Sequence, residues 1–156
     1  MKVVHFRFQK DLAVPAGYAF AWYTDVREDD TQLARHLKGR RIVARGEDSV
    51  TVDEELELVG RRITARLKMT REPPLRWRVE ADSRHGTATS RYRLEPGPGG
   101  CRLVIESEWR FTSWVRFFLP LFRRRLEREL RAEVDDFAVA LAADFNSGVP
   151  LTTRDT

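Results

Sequence analysis

The sequence predicts an α+β domain in which a curved seven-stranded antiparallel sheet wraps around one long C-terminal helix, with two short helices after the first strand. Three observations carry this. Apolar and polar residues alternate near the N-terminus, turn signals recur roughly every ten residues through the middle, and the final third switches to a helical period.

The alternation covers 4–14: Val4, Phe6, Phe8, Leu12 and Val14 share one face, against His5, Arg7, Gln9, Asp11 and Ala13, and Lys10 interrupts the apolar side. Pro15 suits the first position of a helix, and Tyr18, Phe20, Ala21, Trp22 and Tyr23 give that helix an apolar body. Asp25 and the acidic run Glu28, Asp29, Asp30 read as a solvated loop, with Asp30 or Thr31 capping a second short helix through His36 that Gly39 ends.

Strands are then expected over 40–45, 49–59, 61–70, 75–83, 87–95 and 101–112. Gly46-Glu47-Asp48, Gly60, Pro73-Pro74, His85-Gly86 and the run Pro96-Gly97-Pro98-Gly99-Gly100 separate them. Successive strands with short connections imply an antiparallel meander. From 113 to 145, Val115, Leu119, Phe122, Leu126, Leu130, Val134, Phe137, Leu141 and Phe145 fall three or four apart, an apolar stripe along one long helix. Pro120 lacks a backbone donor, so a kink or a fresh helix start is expected there. The domain is expected to span 1–145, with 146–156 a flexible tail.

Charge and composition narrow the function. The 28 Lys plus Arg against 24 Asp plus Glu leave a formal charge of +4, with acids interleaved throughout. No recognition helix or aromatic-basic sheet face accompanies that surplus, so no nucleic-acid partner is expected. The longest uncharged stretch, 12–24, is well short of the roughly 20 apolar residues of a spanning helix, and Arg7 and Lys10 break any signal core; a cytoplasmic protein is expected. One cysteine, Cys101, excludes an intrachain disulfide, and His5, His36 and His85 lack ligand spacing, so no metal is assigned. No cofactor is expected either, because the Gly-rich turn joins two strands, whereas phosphate cradles open a helix.

The order of elements resembles the helix-grip fold of the START-like (SRPBCC) superfamily, which includes polyketide cyclases and dehydratases and lipid-transfer domains. The segments that carry the resemblance are AVPAGYAFAWYTDV at 13–26, PPLRWRVEA at 73–81 and GPGGCRLVIESEWRF at 97–111. It implies a cavity between sheet and helix. The expected function is that of a binding or carrier protein for a small hydrophobic ligand such as a lipid, isoprenoid or polyketide-like molecule. The alternative is a polyketide cyclase/dehydratase-like enzyme acting in the same cavity.

Alternation places Glu54 inward among Val50, Val52, Leu56 and Leu58, with Ser90, Ser107 and the Tyr92 hydroxyl as the other polar groups of the concave face. A buried carboxylate is costly unless paired, so Glu54 is either a ligand anchor or general acid, or it lies near a sheet edge, wet or paired with Arg61 or Lys10. Trp77, Tyr92 and Trp109 line the same face, either stacking on a planar ligand or serving as core. With Phe118 and Phe122 from the helix they complete the expected ligand site. The segment 114–125 combines Trp114, Phe117, Phe118, Leu121 and Phe122 with Arg116, Arg123, Arg124 and Arg125. It is expected to gate the cavity mouth and to touch anionic membranes, unless its apolar residues simply cover the mouth and its arginines pair with Glu127 and Glu129.

Overall fold

The computed structural model describes residues 2–148. In chain order the elements are strand β1 (Lys2–Leu12), helix α1 (Ala16–Thr24), a 3-10 helix (Glu28–Gln32), strands β2 (Leu37–Arg45), β3 (Ser49–Leu58), β4 (Arg61–Glu72), β5 (Arg76–Ser83), β6 (Gly86–Gly97) and β7 (Gly100–Phe111), and helix α2 (Ser113–Asn146). The strands form one antiparallel sheet in the order β1-β7-β6-β5-β4-β3-β2. Strands β2 to β7 are a meander, and β1 closes onto β7 along its whole length, from Lys2 opposite Phe111 to Leu12 opposite Cys101. This is the expected α+β helix-grip architecture.

Period-two patterning sets the faces. In β1 Val4, Phe6, Phe8 and Leu12 are buried and their neighbours exposed, so the apolar set can only face the helix side. Helix α2 covers that face, burying Val115, Leu119, Leu126, Ala138 and Leu141. Each buried leucine contributes about 2 kcal/mol, whereas exposed pairs such as Lys10–Asp135 (3.0 Å) contribute about 0–1 kcal/mol. Apolar packing therefore holds the helix, and the polar contacts fix its register: Arg35 to Asp136 at 2.8 Å, and Trp22 Nε1 donating to Asp144 Oδ2 at 2.8 Å.

One turn couples sheet and helix directly. Val59 (φ 52°) and Gly60 (φ 70°) form the two-residue loop between β3 and β4, with both residues left-handed as a hairpin turn that matches strand twist requires. A β-branched residue resists that conformation. The Val59 N–H donates to Glu129 Oε2 of α2 at 2.7 Å, so the turn is pinned from the helix.

The structure departs from expectation between α1 and β2. No α-helix runs to His36; a 3-10 turn occupies Glu28–Gln32, and β2 already begins at Leu37, with Gly39 inside it opposite Glu55. The Asp30 carboxylate explains this, accepting the Arg27 backbone N–H at 3.0 Å and Arg40 Nη1 at 2.6 Å, which closes a tight turn against the sheet. The acidic segment is accordingly only partly a solvated loop: Glu28 and Asp29 are exposed, whereas the side chains of Asp25 and Asp30 are largely covered and paired with Arg27 and Arg40. Pro120 neither ends nor restarts α2; it is exposed, so the bond it forgoes lies on the solvent side. Of the expected tail, Asn146 closes α2, and 149–156 lie outside the described residues.

Gly86 opens β6 at φ 142°, where an added Cβ would lie 2.0 Å from the Arg110 carbonyl oxygen, whereas nothing stands within 4 Å of a Cβ at Gly97. Gly86→Ala is expected to cost about 2–4 kcal/mol in denaturant unfolding and Gly97→Ala to stay within about 0.5 kcal/mol. Equal stabilities would show that the β6–β7 edge yields freely.

Candidate functional site

Between the concave face and α2 from Leu130 onward lies a cavity of about 550 Å³, within the range of small-molecule sites. Its depth comes from small side chains in register. Ala81 pairs with Ala88 and with Leu67 on its other side, and Ala65 stands opposite Glu54, so the floor is low where larger residues would have met the helix.

The walls are aromatic and rigid. Trp77 is flanked by Tyr23 of α1 (centroids 5.4 Å apart) and Tyr92 of β6 (5.0 Å), all three near parallel. Trp109 meets Phe6 edge-on and donates Nε1–H to Ser107 Oγ at 3.3 Å. Ser107 in turn shares a hydrogen bond with Ser90, its cross-strand partner. Trp22, held by Asp144, closes the wall beside Phe137.

Charge is concentrated at the β2–β3 side. Glu54 is 6 % exposed, and Arg40 lies directly across the ladder from it. The Arg40 guanidinium donates Nε–H to Glu54 Oε1 at 2.8 Å and Nη1–H to Asp30 Oδ2 at 2.6 Å, one cation serving two carboxylates. Burial pushes the Glu54 carboxyl above its ordinary value, Arg40 opposes the shift, and Asp30 adds to it. Facing this group from α2 is Glu133, which makes no hydrogen bond or ion pair among the described residues. Burial, and secondarily the Glu54 charge, pushes its carboxyl up to about 7. The Tyr92 hydroxyl is raised by burial and then by Glu133, so the two groups sense each other across the cavity. Tyr23 presents a buried hydroxyl that has no hydrogen-bond partner among the described residues.

Of the residues expected to bind ligand, Glu54, Trp77, Ser90, Tyr92, Ser107 and Trp109 line the cavity together. Phe118 and Phe122 do not: Phe118 is 53 % exposed on the outer side of α2, and Phe122 packs into the core before the helix reaches the cavity. The partner of Glu54 is Arg40, not Arg61 or Lys10; Lys10 is engaged with Asp135. Among the described residues the segment 114–125 supplies no lining residue, and Trp114 packs edge-on to the rim residue His85 at 5.3 Å. Sequence reasoning missed Arg40, Asp30, Tyr23 and Glu133. For Glu133 the signal was present, since it lies three residues after Leu130 and four before Phe137 on the inward stripe. Among the described residues no three His, Cys, Asp or Glu side chains cluster to hold a metal ion, and no helix is long and apolar enough to cross a membrane.

The model of the family described as polyketide cyclase / dehydrase and lipid transport matches residues 3–142. The chain belongs to that family. No curated protein matches it. Among solved structures in this fold, the Zhui aromatase/cyclase from Streptomyces sp. R1128 superposes with a TM-score of 0.82 at 12% identity, covering 95% of this chain and 99% of that one. The di-domain ARO/CYC StfQ of the steffimycin biosynthetic pathway gives 0.76 at 16% identity over 94% of this chain and 53% of its own. A START superfamily protein from Mycobacterium smegmatis gives 0.64 at 14% identity over 94% and 99%. At these identities the likeness is one of fold.

The Glu133 environment has a sign that can be measured. The folded protein keeps the proton to about pH 7 while the unfolded chain releases it near 4.5, so folding stability falls as pH rises through that window. Glu133→Gln keeps the shape and removes the titration. Its stability is expected to exceed that of wild type at pH 8 by on the order of 3 kcal/mol and to match it at pH 4, by urea unfolding. Parallel pH curves for the two proteins would place an ordinary, solvated carboxylate at this position.

Proposed function

We propose that the protein binds a small, flat, hydrophobic molecule bearing hydrogen-bonding oxygens in the cavity beneath α2. One observation carries the reading: a cavity of about 550 Å³ has largely apolar and aromatic walls across the sheet, with Arg40–Glu54 and Glu133 at one side, Ser90, Ser107 and Tyr92 at the other, and further charged side chains such as Asp25, Arg27 and Arg110 among its lining. The walls supply affinity by area, and the polar groups orient the ligand by its oxygens. The family description, which joins polyketide chemistry with lipid transport, supports the same ligand class.

A second reading, catalysis of cyclisation or dehydration on such a ligand, is favoured by Glu133. A carboxyl that titrates near neutrality both gives and takes a proton at working pH, and the Tyr92 hydroxyl stands as its electrostatic neighbour. Incubation with a linear poly-β-ketone mimic and product analysis tests it: turnover lost in Glu133→Gln with binding retained supports catalysis, and no product from the wild type leaves the carrier.

The binding reading is tested with 1,8-dihydroxyanthraquinone, followed by quenching of tryptophan fluorescence. Saturable quenching by wild type is expected, weakened at least about ten-fold in Ala81→Phe, whose ring would occupy the floor while filling space that costs little stability to fill. Equal affinity in the two proteins would place the ligand elsewhere.

A further inference from the structure

The first turns of α2 carry two apolar faces. Val115 and Leu119 are buried against the sheet. Trp114, Phe117, Phe118 and Leu121, spaced i, i+3, i+4 and i+7, occupy the other face and are 48, 70, 53 and 83 % exposed. Packing against the sheet accounts for the first set, and of the second only Trp114 is given a ring contact, with His85, among the described residues.

The surroundings of that stripe are basic. Arg116, Arg123, Arg124 and Arg128 lie along the same helix, and none has a carboxylate within salt-bridge distance among the described residues, whereas Arg125 and Arg131 are taken by Glu129 and Glu127. The Arg116 guanidinium sits 5.2 Å over the Phe117 ring, a cation placed directly beside exposed apolar surface. Trp114 rests on His85 in the β5–β6 turn, and there Arg84 and Arg61 join burial in holding the His85 imidazole below its ordinary value. One end of the molecule therefore presents an exposed aromatic and aliphatic stripe flanked on its helix by the unpaired guanidinium groups of Arg116, Arg124 and Arg128.

We propose that this end docks on an anionic bilayer surface, with Trp114, Phe117, Phe118 and Leu121 entering the boundary between headgroups and acyl chains and the arginines meeting lipid phosphates. The charge selects this occupant. A second copy of the chain would bring the same arginines against each other, which opposes a self-complementary contact, whereas an anionic membrane satisfies the apolar stripe and its cationic rim together. The helix would lie in the plane of the interface. Docking does not depend on what the cavity holds.

Co-sedimentation with vesicles of phosphatidylcholine, alone or mixed with phosphatidylglycerol, tests the proposal. Binding to the mixed vesicles is expected at low salt and is expected to be lost at roughly 1 M salt, where screening acts within about 3 Å. Changing Arg124→Gln and Arg128→Gln together is expected to weaken binding about 25-fold, roughly five-fold for each charge. Changing Phe117→Ser and Leu121→Ser together is expected to weaken it at least about ten-fold. These side chains are exposed, so thermal unfolding of both variants followed by circular dichroism is expected to match wild type. No binding of wild type to the anionic vesicles at low salt overturns the proposal, as does equal binding to neutral vesicles. A dimer on gel filtration that Phe117→Ser with Leu121→Ser abolishes would assign the face to a second copy instead.

Discussion

A single helix cannot fill the concavity of a seven-stranded sheet, and that mismatch governs the rest of the molecule. Helix α2 satisfies its apolar stripe against β1 and the neighbouring core through Leu119, Leu126 and Leu141, and what it cannot reach remains open above β3 to β6. Alanines at 65, 81 and 88 keep the floor low, and the stack of Tyr23, Trp77 and Tyr92 keeps the wall from collapsing into the gap. Contacts far apart in sequence then fix where the helix lies: Glu129 on the Val59 turn, Asp135 on Lys10, Asp136 on Arg35 and Asp144 on Trp22. Their individual energies are small. Their effect is to hold the cavity at one shape, which an apolar contact surface alone would leave free to slide.

The buried charge carries the opposite economy. Arg40 serves Glu54 and Asp30 at once, and Glu133 remains without a cation of its own. Replacing such a group with leucine would be expected to stabilise the fold, since burying an uncompensated carboxyl costs several kcal/mol or forces it neutral. A carboxyl pushed up to about 7 offers a donor when protonated and an acceptor in either state, a useful property in a site that must recognise oxygens on an otherwise apolar molecule.

Most of the architecture was legible because period-two and helical patterning act on every residue of an element. The concave face read from alternation alone includes Val50, Val52, Glu54, Leu56, Leu58, Trp77, Ser90, Tyr92, Ser107 and Trp109, all of which line the cavity. Arg40 was hidden by a bulge. Counting from the β2–β3 turn with unbroken register puts Arg41 opposite Glu54, and the shift between Ile42 and Ala44 moves Arg40 into that place and turns its side chain inward. Asp30 was misread for a related reason: its partners are the backbone of Arg27 and the side chain of Arg40, and no local pattern distinguishes a carboxylate folded onto a sheet from one in solvent. Glu133 lies on the same face as the apolar stripe, three residues after Leu130 and four before Phe137, and a carboxylate in that position is the signal that went unused.

The central claim is that the space beneath α2 is a built ligand site. Native mass spectrometry of protein purified without denaturant tests it most directly. The account predicts a discrete adduct, released on unfolding and identified as a hydrophobic molecule bearing oxygen, and its loss in Ala81→Phe. A bare polypeptide mass, unchanged after incubation with a lipid and polyketide extract, would contradict it.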